Sequence, residues 1–281
     1  MTKIPISPEE FKQFARYILD ISGIALDVGK EYLVETRLGP ILTRLGCKSF
    51  AELLQKAKTD YKKNLENEII DAISTNETYF FRDKAPFQLL QHKIIPDLVD
   101  RRTRENPGRK PAIRLWSAAN STGQEIYSIA MLLVEMGINP DNYDVKLFGT
   151  DISDAAIAQA SYGLYNKFEA ARGLEPARLQ RYFDPHENGY KIKDQLRVMA
   201  QFKKMNLMQP FSGMGKFDII LCRNVMIYFT PRDRKRIYEN IARVLEPDGY
   251  LIIGSTESLI NDTSLFVSCK YLNSVFYQFK P

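Results

Sequence analysis

The chain has 281 residues, of which 44% are hydrophobic and 26% are charged, and its formal net charge is +5 at pH 7. These values are typical of a globular protein with one large domain or two smaller ones. No stretch comes near the roughly 18 consecutive apolar residues of a membrane span, and the N-terminus lacks the apolar core of a secretory signal. We therefore expect a cytoplasmic protein without membrane insertion.

The cysteines and histidines exclude most metal centres and most nucleophilic active sites. Three cysteines (Cys47, Cys222 and Cys269) are far apart and odd in number, so they predict no disulfide framework. Neither His92 nor His186 lies in a recognisable nucleophile context or in zinc-binding spacing with cysteines. We expect no bound metal.

Residues 1–74 predict an all-helical domain. Ser7, Pro8 and Glu10 form a capping box with proline at the first helical position, and apolar residues follow at helical spacing as far as Gly23. Further along, the sequence YLVETRLGPILTRLG predicts one or two helices around a Gly-Pro break. A third helix begins after Ser49, and NLENEIIDAIS is a fourth amphipathic segment.

Residues 75–111 predict a linking segment and a connecting helix. The stretch STNETYFFRDK (74–84) places three aromatic residues among polar ones, which is unusual for a solvated linker. A helix from about residue 85 leads to the basic stretch DRRTRENPGRK (100–110). That stretch is compatible with a solvated linker or with an acidic partner.

Residues 112–281 predict an α/β domain with a parallel sheet. Short apolar strands alternate with helices of 10–18 residues, which is typical of βαβ units. The predicted elements are strands at 112–118, 144–151, 216–224 and 249–255, and helices at 123–137, 153–163 and 231–249. The C-terminal residues predict antiparallel edge strands. Residues 180–204 interrupt the alternation and predict a small antiparallel β insertion.

The loop after the first strand, AANSTGQE (118–125), indicates the class of ligand. In a doubly wound sheet, ligands bind at the carboxyl ends of the strands. This loop contains one glycine, Gly123, and the chain has neither G-x-G-x-x-G after the strand nor a P-loop. Dinucleotide binding through a pyrophosphate is therefore disfavoured, and a nucleoside ligand without phosphates is favoured.

Two acidic residues at the same edge favour S-adenosylmethionine. Asp151 ends the second strand, where an acid commonly binds ribose hydroxyls, although it could equally belong to the capping turn before Ser153. Glu125 lies in the first turn of a helix, where it either complements the helix dipole or binds a cationic amine. Two acids beside a phosphate-free loop suit a cofactor with an amino group and a sulfonium.

A polar pair, Arg223 and Asn224, follows the third strand of this kind. The pair could cap the strand end by binding backbone, or it could serve the ligand. DNA methyltransferases that act on exocyclic nitrogens often carry an Asn/Asp-Pro-Pro-aromatic tetrad here. The sequence NVMI lacks it, which disfavours base N-methylation.

Five blocks of the sequence, in order, resemble the CheR family of chemotaxis receptor methyltransferases. They are NETYFFRD, WSAANSTGQEIYSIAM, FGTDIS, FDIILCRNVMIYF and GYLIIGSTESL. The resemblance covers essentially the whole chain and implies a Rossmann-like domain dependent on S-adenosylmethionine, preceded by an all-helical domain. The family methylates glutamate side chains of chemoreceptors, which gives γ-glutamyl methyl esters. The cytoplasmic methylation helices of chemoreceptors are therefore the implied partners.

The resemblance also implies residues near the transferred methyl group. Asn76, Thr78 and Arg82 would contact the cofactor or the reacting carboxylate, and Tyr228 would stand near the transfer point. Our hypothesis is that Arg82 orients the substrate carboxylate. Alternatively, Arg82 forms a surface ion pair with Asp83 or with a neighbouring acidic residue, and Tyr228 is a core aromatic.

The remaining implied residues bind the cofactor. Glu125 and Asp151 would bind its amino and ribose ends, in an order that the sequence leaves open. The residues implied at the adenine are Asn206 and Leu207, and those implied on the methionine side are Arg223 and Asn224.

The sequence departs from the family pattern in ways that bear on binding. Asn120 stands where cysteine is common and Gln124 where glutamate is common, but Glu125 is retained. Family members that dock a C-terminal receptor pentapeptide carry a Gly-x-Gly insert in the β insertion. FDPHENGYKI has no such insert, which predicts independence from the pentapeptide.

Two other functions remain open. The first is a methyltransferase with the same cofactor and another substrate, such as RNA or another protein. The absent tetrad and the lack of a dense basic and aromatic face weigh against RNA. The second is a non-catalytic scaffold that binds S-adenosylmethionine or a receptor. We expect no nucleic-acid partner and a monomeric protein.

Overall fold

A computed structural model describes residues 4–280. Four helices form the N-terminal module: α1 (Pro8–Ser22), α2 (Glu31–Arg44), α3 (Phe50–Thr59) and α4 (Asn64–Ile73). They pack around one apolar core whose fully buried residues include Phe14, Leu38, Phe50 and Ile69.

Helix α1 has the predicted ends. The Ser7 hydroxyl accepts from the Glu10 N–H, and the Glu10 carboxylate accepts from the Ser7 N–H. Gly23 ends the helix with a φ of 79°. A Cβ on Gly23 would lie 2.7 Å from atoms of both Met208 and Phe229. The helical module therefore packs tightly against the sheet domain at this glycine.

Helix α2 is one helix with Pro40 inside it, so the alternative of two helices is wrong. Its residues Val34, Leu38 and Leu42 are buried on one face. Burial of that continuous face stabilises the helix across the proline, because tertiary packing outweighs local propensity.

The predicted connecting helix consists of three consecutive pieces. Helix α5 (Lys84–Leu89) continues into a π turn (Leu90–Ile94) and then into α6 (Ile95–Glu105). Its buried side, which includes Leu90 and Leu98, packs into the core of the sheet domain.

The sheet domain contains two sheets and six more helices. The strands are β1 (Ala112–Ala118), β2 (Asp144–Asp151), β3 (Leu164–Tyr165), β4 (Phe183–His186), β5 (Gly189–Ile192), β6 (Ala200–Lys204), β7 (Phe217–Cys222), β8 (Leu245–Ile253), β9 (Phe266–Tyr271) and β10 (Ser274–Phe279). The helices are α7 (Gln124–Glu135), α8 (Asp154–Tyr162), α9 (Lys167–Ala171), α10 (Pro176–Tyr182), α11 (Asp194–Arg197) and α12 (Pro231–Val244).

The large sheet has seven strands in the order β6-β2-β1-β7-β8-β10-β9. The first five strands are parallel, and β10 pairs antiparallel with both β8 and β9. One face of the sheet packs on α6 and α7, and the other packs on α12. The strand order reverses at β1, so the carboxyl ends of β1, β2 and β7 form the expected ligand crevice.

The small sheet differs in extent from the predicted insertion at 180–204. Its three strands have the order β3-β5-β4, so it begins near Leu164 and ends at Ile192. Strand β6 instead pairs in parallel with β2 at the edge of the large sheet. Alternating polarity in LRVMAQF (196–202) predicts a strand, but the strand begins only at Ala200, after α11, and local polarity does not specify its partner. The side chain of Phe202 packs where Gly149 of β2 leaves room.

The boundary between α12 and β8 also differs from the prediction. The helix was expected to reach residue 249, but it ends at Val244, and Leu245 already pairs with Phe217 of β7. Pro247 lacks the N–H that a helix interior requires, and the irregular register near Phe217 accommodates the longer strand.

Within residues 4–280, no helix is both long and apolar enough to cross a bilayer. The same part of the chain contains no cluster of three or more His, Cys, Asp or Glu side chains suited to a metal.

Candidate functional site

A cavity of about 340 Å³ lies at the carboxyl ends of β1, β2 and β7, between the sheet and the helical module. All ten residues singled out from the sequence line it: Asn76, Thr78, Arg82, Glu125, Asp151, Asn206, Leu207, Arg223, Asn224 and Tyr228. Segments that are more than 100 residues apart thus meet at one site.

The loop after β1 forms the floor of this cavity. Ala119 and Ser121 have φ values of 58° and 54°, and Gly123 has a φ of 94°. A Cβ on Gly123 would lie 2.9 Å from the Cβ of Ala160 on α8. Glycine at this position therefore lets the loop turn and approach α8 closely before α7 begins.

Asp151 both holds this loop and faces the cavity. Its carboxylate accepts from the Ser121 N–H at 2.8 Å and from the Ser153 N–H at 3.0 Å. Burial raises the pKa of Asp151, and the two backbone donors oppose that shift. Each oxygen has an unused lone pair, so the carboxylate can accept ligand hydroxyls as well. Ser153 itself caps α8, so the capping turn and the site share this aspartate.

Arg223 is a buried cation at the centre of the site, and its side chain is 2% exposed. It donates to the Glu125 carboxylate at 2.5 Å, and to the Asp83 carboxylate and the Arg82 carbonyl oxygen at 2.9 Å each. The other oxygen of Glu125 accepts from the Ser117 hydroxyl at 2.8 Å. The carboxylates of Glu125 and Asp83 compensate the burial of the guanidinium. Through these two ion pairs, Arg223 joins the end of β7 to α7 and to the segment that precedes α5.

Residues 74–84, which we call the aromatic segment, lie along one side of the cavity. Phe80 is fully buried and makes edge contacts with Tyr165 and Phe183 of the small sheet. The Phe81 N–H donates to the Ser128 hydroxyl of α7 at 2.9 Å. The segment is therefore anchored to the small sheet and to α7 rather than solvated.

Arg82 lies in this segment with its guanidinium available to a ligand. One nitrogen donates to the Glu77 carbonyl oxygen at 2.9 Å, and the group lies 5.9 Å from the Tyr79 ring centre. Asp83 pairs with Arg223, so the alternative ion pair between Arg82 and Asp83 is not formed. Across residues 4–280, no carboxylate lies within ion-pair distance of Arg82.

The loop after β7 carries Asn224 and Tyr228. Asn224 has a φ of 56°, and Met226–Tyr228 form a 3₁₀ turn. Tyr228 is half-buried and lines the cavity, and its carbonyl oxygen accepts from the Ala25 N–H at 2.8 Å. The alternative of a core position for Tyr228 is therefore not observed.

Asn206 bridges the two parts of the chain. Its amide donates to the Ile21 carbonyl oxygen and accepts from the Met208 N–H, each at 2.9 Å. Leu207 beside it is 5% exposed and belongs to the apolar core. Both residues line the cavity, so they can flank a planar ring through packing.

Sequence reasoning missed two groups of site residues. One is the helical module itself, which contributes cavity-lining residues from Ser22 to Leu33. The other is Glu257, which follows β8 and binds the loop that carries Asn224. The position of Glu257 just after a parallel strand could have identified it from the sequence. The contribution of the helical module to the cavity has no local sequence signature.

The chemistry of the lining residues suits S-adenosylmethionine. Asp151 offers carboxylate lone pairs for hydroxyls, and Leu207 offers an apolar surface for a purine. Oxygen atoms of Glu125 and of the loop can face an amine. The loop after β1 lacks the several glycines that would let its backbone approach a pyrophosphate. The volume of the cavity is at the small end of the range for ligand pockets.

Comparisons with known proteins agree with this architecture. The SAM binding domain of CheR methyltransferase matches residues 76–274, and the all-alpha domain of CheR methyltransferase matches residues 9–74. Chemotaxis protein methyltransferase 1 of Vibrio cholerae is 37% identical over 100% of both chains. Chemotaxis protein methyltransferase Cher2 of Pseudomonas putida is 38% identical over 96% of this chain and 98% of its own. The chemotaxis protein methyltransferase of Borreliella burgdorferi is 35% identical over 93% of this chain and 92% of its own. The chain belongs to the CheR methyltransferase family, with that family's all-alpha domain and its S-adenosylmethionine-binding domain.

Proposed function

We propose that this protein methylates glutamate side chains in the cytoplasmic helices of chemoreceptors, which yields γ-glutamyl methyl esters. One observation carries the substrate assignment: Arg82 lines the cofactor cavity with a guanidinium that no carboxylate of residues 4–280 occupies. A planar guanidinium is the side chain best suited to bind a carboxylate through two hydrogen bonds.

The reaction needs positioning more than proton transfer. S-adenosylmethionine would supply a methyl group on a sulfonium, whose S–CH3 bond would break as the ester O–CH3 bond forms, leaving S-adenosylhomocysteine. An ionised glutamate has no proton to lose, so this transfer would need no general base. Arg82 would orient the incoming carboxylate in line with that methyl group, at about 3–3.5 Å. Tyr228, at the same cavity, would pack against the carboxylate or donate to it, and Asn76 and Thr78 would help to enclose it.

The geometry favours one assignment of the two acids. Both oxygens of Glu125 are engaged, by Ser117 and by Arg223. Asp151 ends β2 and binds only backbone N–H groups in the described structure. We therefore assign the ribose hydroxyls to Asp151 and the amino end to the surface around Glu125. Asn206 and Leu207 would flank the adenine, and Arg223 and Asn224 would line the methionine side.

Transfer of a radiolabelled methyl group to purified receptor cytoplasmic domains tests the proposal. We expect label on the receptor domain that mild base releases as methanol, because esters hydrolyse under those conditions and N-methyl groups do not. Base-stable label, label on RNA alone, or cofactor binding without any transfer would each contradict glutamate esterification.

The small sheet supports independence from a receptor pentapeptide. Strands β4 and β5 pair from Phe183 with Ile192 to His186 with Gly189, so two residues form the whole turn. A two-residue turn leaves no room for the Gly-x-Gly insert that the resemblance associates with pentapeptide docking. Calorimetric titration with a C-terminal receptor pentapeptide should show no binding, and micromolar affinity would contradict this part of the proposal.

A further inference from the structure

The Glu257 side chain joins the ends of the two neighbouring strands β7 and β8. One carboxylate oxygen accepts from the Asn224 N–H at 2.9 Å and from the Gly254 N–H at 2.8 Å. The other accepts from the Met226 N–H at 2.9 Å. Three backbone donors on two loops thus converge on one side chain.

Two of these donors belong to the cavity loop after β7. Asn224 has a φ of 56°, a conformation that costs free energy for a residue other than glycine. Met226 begins the 3₁₀ turn that ends at Tyr228. The carboxylate therefore stabilises a strained position and fixes the start of the turn that presents Tyr228 to the cavity.

Gly254 shows how closely this arrangement is packed. A Cβ on Gly254 would lie 2.6 Å from the Glu257 carboxylate oxygen and 3.0 Å from the Asn224 nitrogen. A side chain at residue 254 would have to displace the carboxylate or the loop. The glycine and the glutamate thus form one unit under the site.

We propose that Glu257 is a positioning residue for methyl transfer. It acts through the Asn224–Tyr228 loop and not by touching the cofactor or the substrate. The inference rests on one part of the proposed function, namely that the Asn224–Tyr228 loop belongs to a methyl-transfer site. Cofactor affinity can be measured without any receptor, so a failure of the receptor assignment is distinguishable from a failure of this inference.

The test compares Glu257→Gln with the unaltered protein. Glutamine keeps the size of the side chain but replaces one carboxylate oxygen with an amide NH2 group, which cannot accept. At least one of the three backbone N–H groups therefore loses its acceptor. We expect the Kd of S-adenosylhomocysteine to rise on the order of 10-fold. We also expect kcat at saturating cofactor to fall on the order of 100-fold, the loss that a misplacement of about 1 Å can cause. Glu187→Gln, at an exposed turn of the small sheet, is the matched control and should change neither.

A second variant tests the same unit from the other side. Gly254→Ala should shift Kd and kcat in the same direction, and the double variant should be no worse than the more affected single one, because both disrupt one arrangement. Effects that add independently would overturn the inference. So would a Glu257→Gln protein that melts earlier but keeps normal Kd and kcat below its Tm, since that result describes a structural role only.

Hydrogen exchange on the unaltered protein keeps the inference testable if a variant does not fold. The amide protons of Asn224 and Met226 should exchange slowly, because both donate to the Glu257 carboxylate. Exchange at the rate of an unprotected loop would contradict the arrangement.

Discussion

Backbone strain is concentrated around the cavity. Among the described residues, seven non-glycine positions have a positive φ; Ala119, Ser121 and Asn224 line the cavity, and Phe81 and Asp83 flank the cavity-lining Arg82. Such conformations persist only where surrounding contacts determine them. At two of these positions the contact is a hydrogen bond to an acidic side chain: Asp151 accepts from the Ser121 N–H, and Glu257 accepts from the Asn224 N–H. Asp151 and Glu257 therefore shape the backbone of the cavity loops, and of the two only Asp151 also lines the cavity.

Removal of the Arg82 guanidinium should impair catalysis more than folding. Its one structural hydrogen bond is to the Glu77 carbonyl oxygen near the surface, so Arg82→Ala should remain folded. We expect kcat/KM for the receptor to fall about 10- to 100-fold, since hydrogen bonds to charged groups contribute about 1.5–3 kcal/mol. Arg82→Lys should recover only part of the loss, because an ammonium group cannot bind a carboxylate through a planar fork.

The comparison requires a control arginine outside the site. Arg109 is exposed in the basic linker, and Arg109→Ala should lower kcat/KM for the receptor less than about two-fold, because it removes only one of several charges that would steer the encounter. Near-normal turnover of Arg82→Ala at saturating receptor would show that Arg82 does not orient the substrate.

Asp151 should make cofactor binding sensitive to pH. Burial raises its pKa above the ordinary value of 3.8, so the free protein takes up this proton at a higher pH than an exposed aspartate does. In the proposed assignment the ionised carboxylate accepts ribose hydroxyls, so its protonation would oppose binding. The affinity for S-adenosylhomocysteine should therefore fall as the pH is lowered through the raised pKa.

Calorimetric titrations of the unaltered protein and of Asp151→Asn check this. The variant should bind more weakly at neutral pH and should lose most of the pH dependence. An equal pH dependence in both proteins would assign it to another group.

At the scale of elements, the aromatic segment is held by contacts of very different strength. Phe80 is fully buried between Tyr165 and Phe183. Arg172 in the turn after α9 pairs with Glu77 at 2.9 Å and lies 4.5 Å from the Tyr79 ring centre, but this ion pair is exposed to solvent. Apolar burial at Phe80, rather than the surface contacts of Arg172, is therefore the main anchor of the segment.

Phe80→Ala should destabilise the protein by about 3–5 kcal/mol, because a large buried aromatic leaves a cavity when it is truncated. Arg172→Ala should cost at most about 1 kcal/mol, since exposed ion pairs and exposed cation–π contacts are weak. Chemical denaturation of both variants measures the difference. Equal losses would mean that the surface contacts hold the segment.

At the scale of the whole molecule, the site exists only where two parts of the chain meet. The sheet provides Glu125, Asp151 and Arg223, and the helical module closes the cavity with residues around Ala25 and Leu26. Gly23 lets the module approach Phe229 closely. The N-terminal module is thus a structural component of the cofactor site.

The net charge of +5 predicts electrostatic steering of an acidic receptor surface. The first 75 residues carry equal numbers of acidic and basic side chains, so the excess lies in the sheet domain and its linker. We expect kcat/KM for the receptor to fall several-fold between low and high salt, because salt screens the encounter. Titration of S-adenosylhomocysteine at the same salt concentrations is the control. If kcat/KM for the receptor did not change with salt, electrostatic steering would be excluded.

The sequence by itself determined most of the longer elements and the ligand class, but not the short elements between α8 and β6. The caps of α1 and α8, the extents of β1 and β2, and the polar residues at strand ends all follow from short-range patterns. Hydrophobic periodicity, helix capping and the shortage of glycine in one loop each depend on residues close together in the chain, so they can be recognised in the sequence without a structure. Strand-end positions pointed to Glu125, Asp151, Arg223 and Asn224, whereas the other six candidate residues were implied by the resemblance to the family and not by a local pattern.

Only the tertiary structure decided which segments meet. It paired β6 with β2 rather than with the small sheet, and it kept α2 as one helix through Pro40. It also brought Arg223 to both Glu125 and Asp83, and Glu257 to the loop after β7. These outcomes depend on packing and on hydrogen bonds between residues far apart in the chain, and no local pattern encodes the partner of a strand or of a charge.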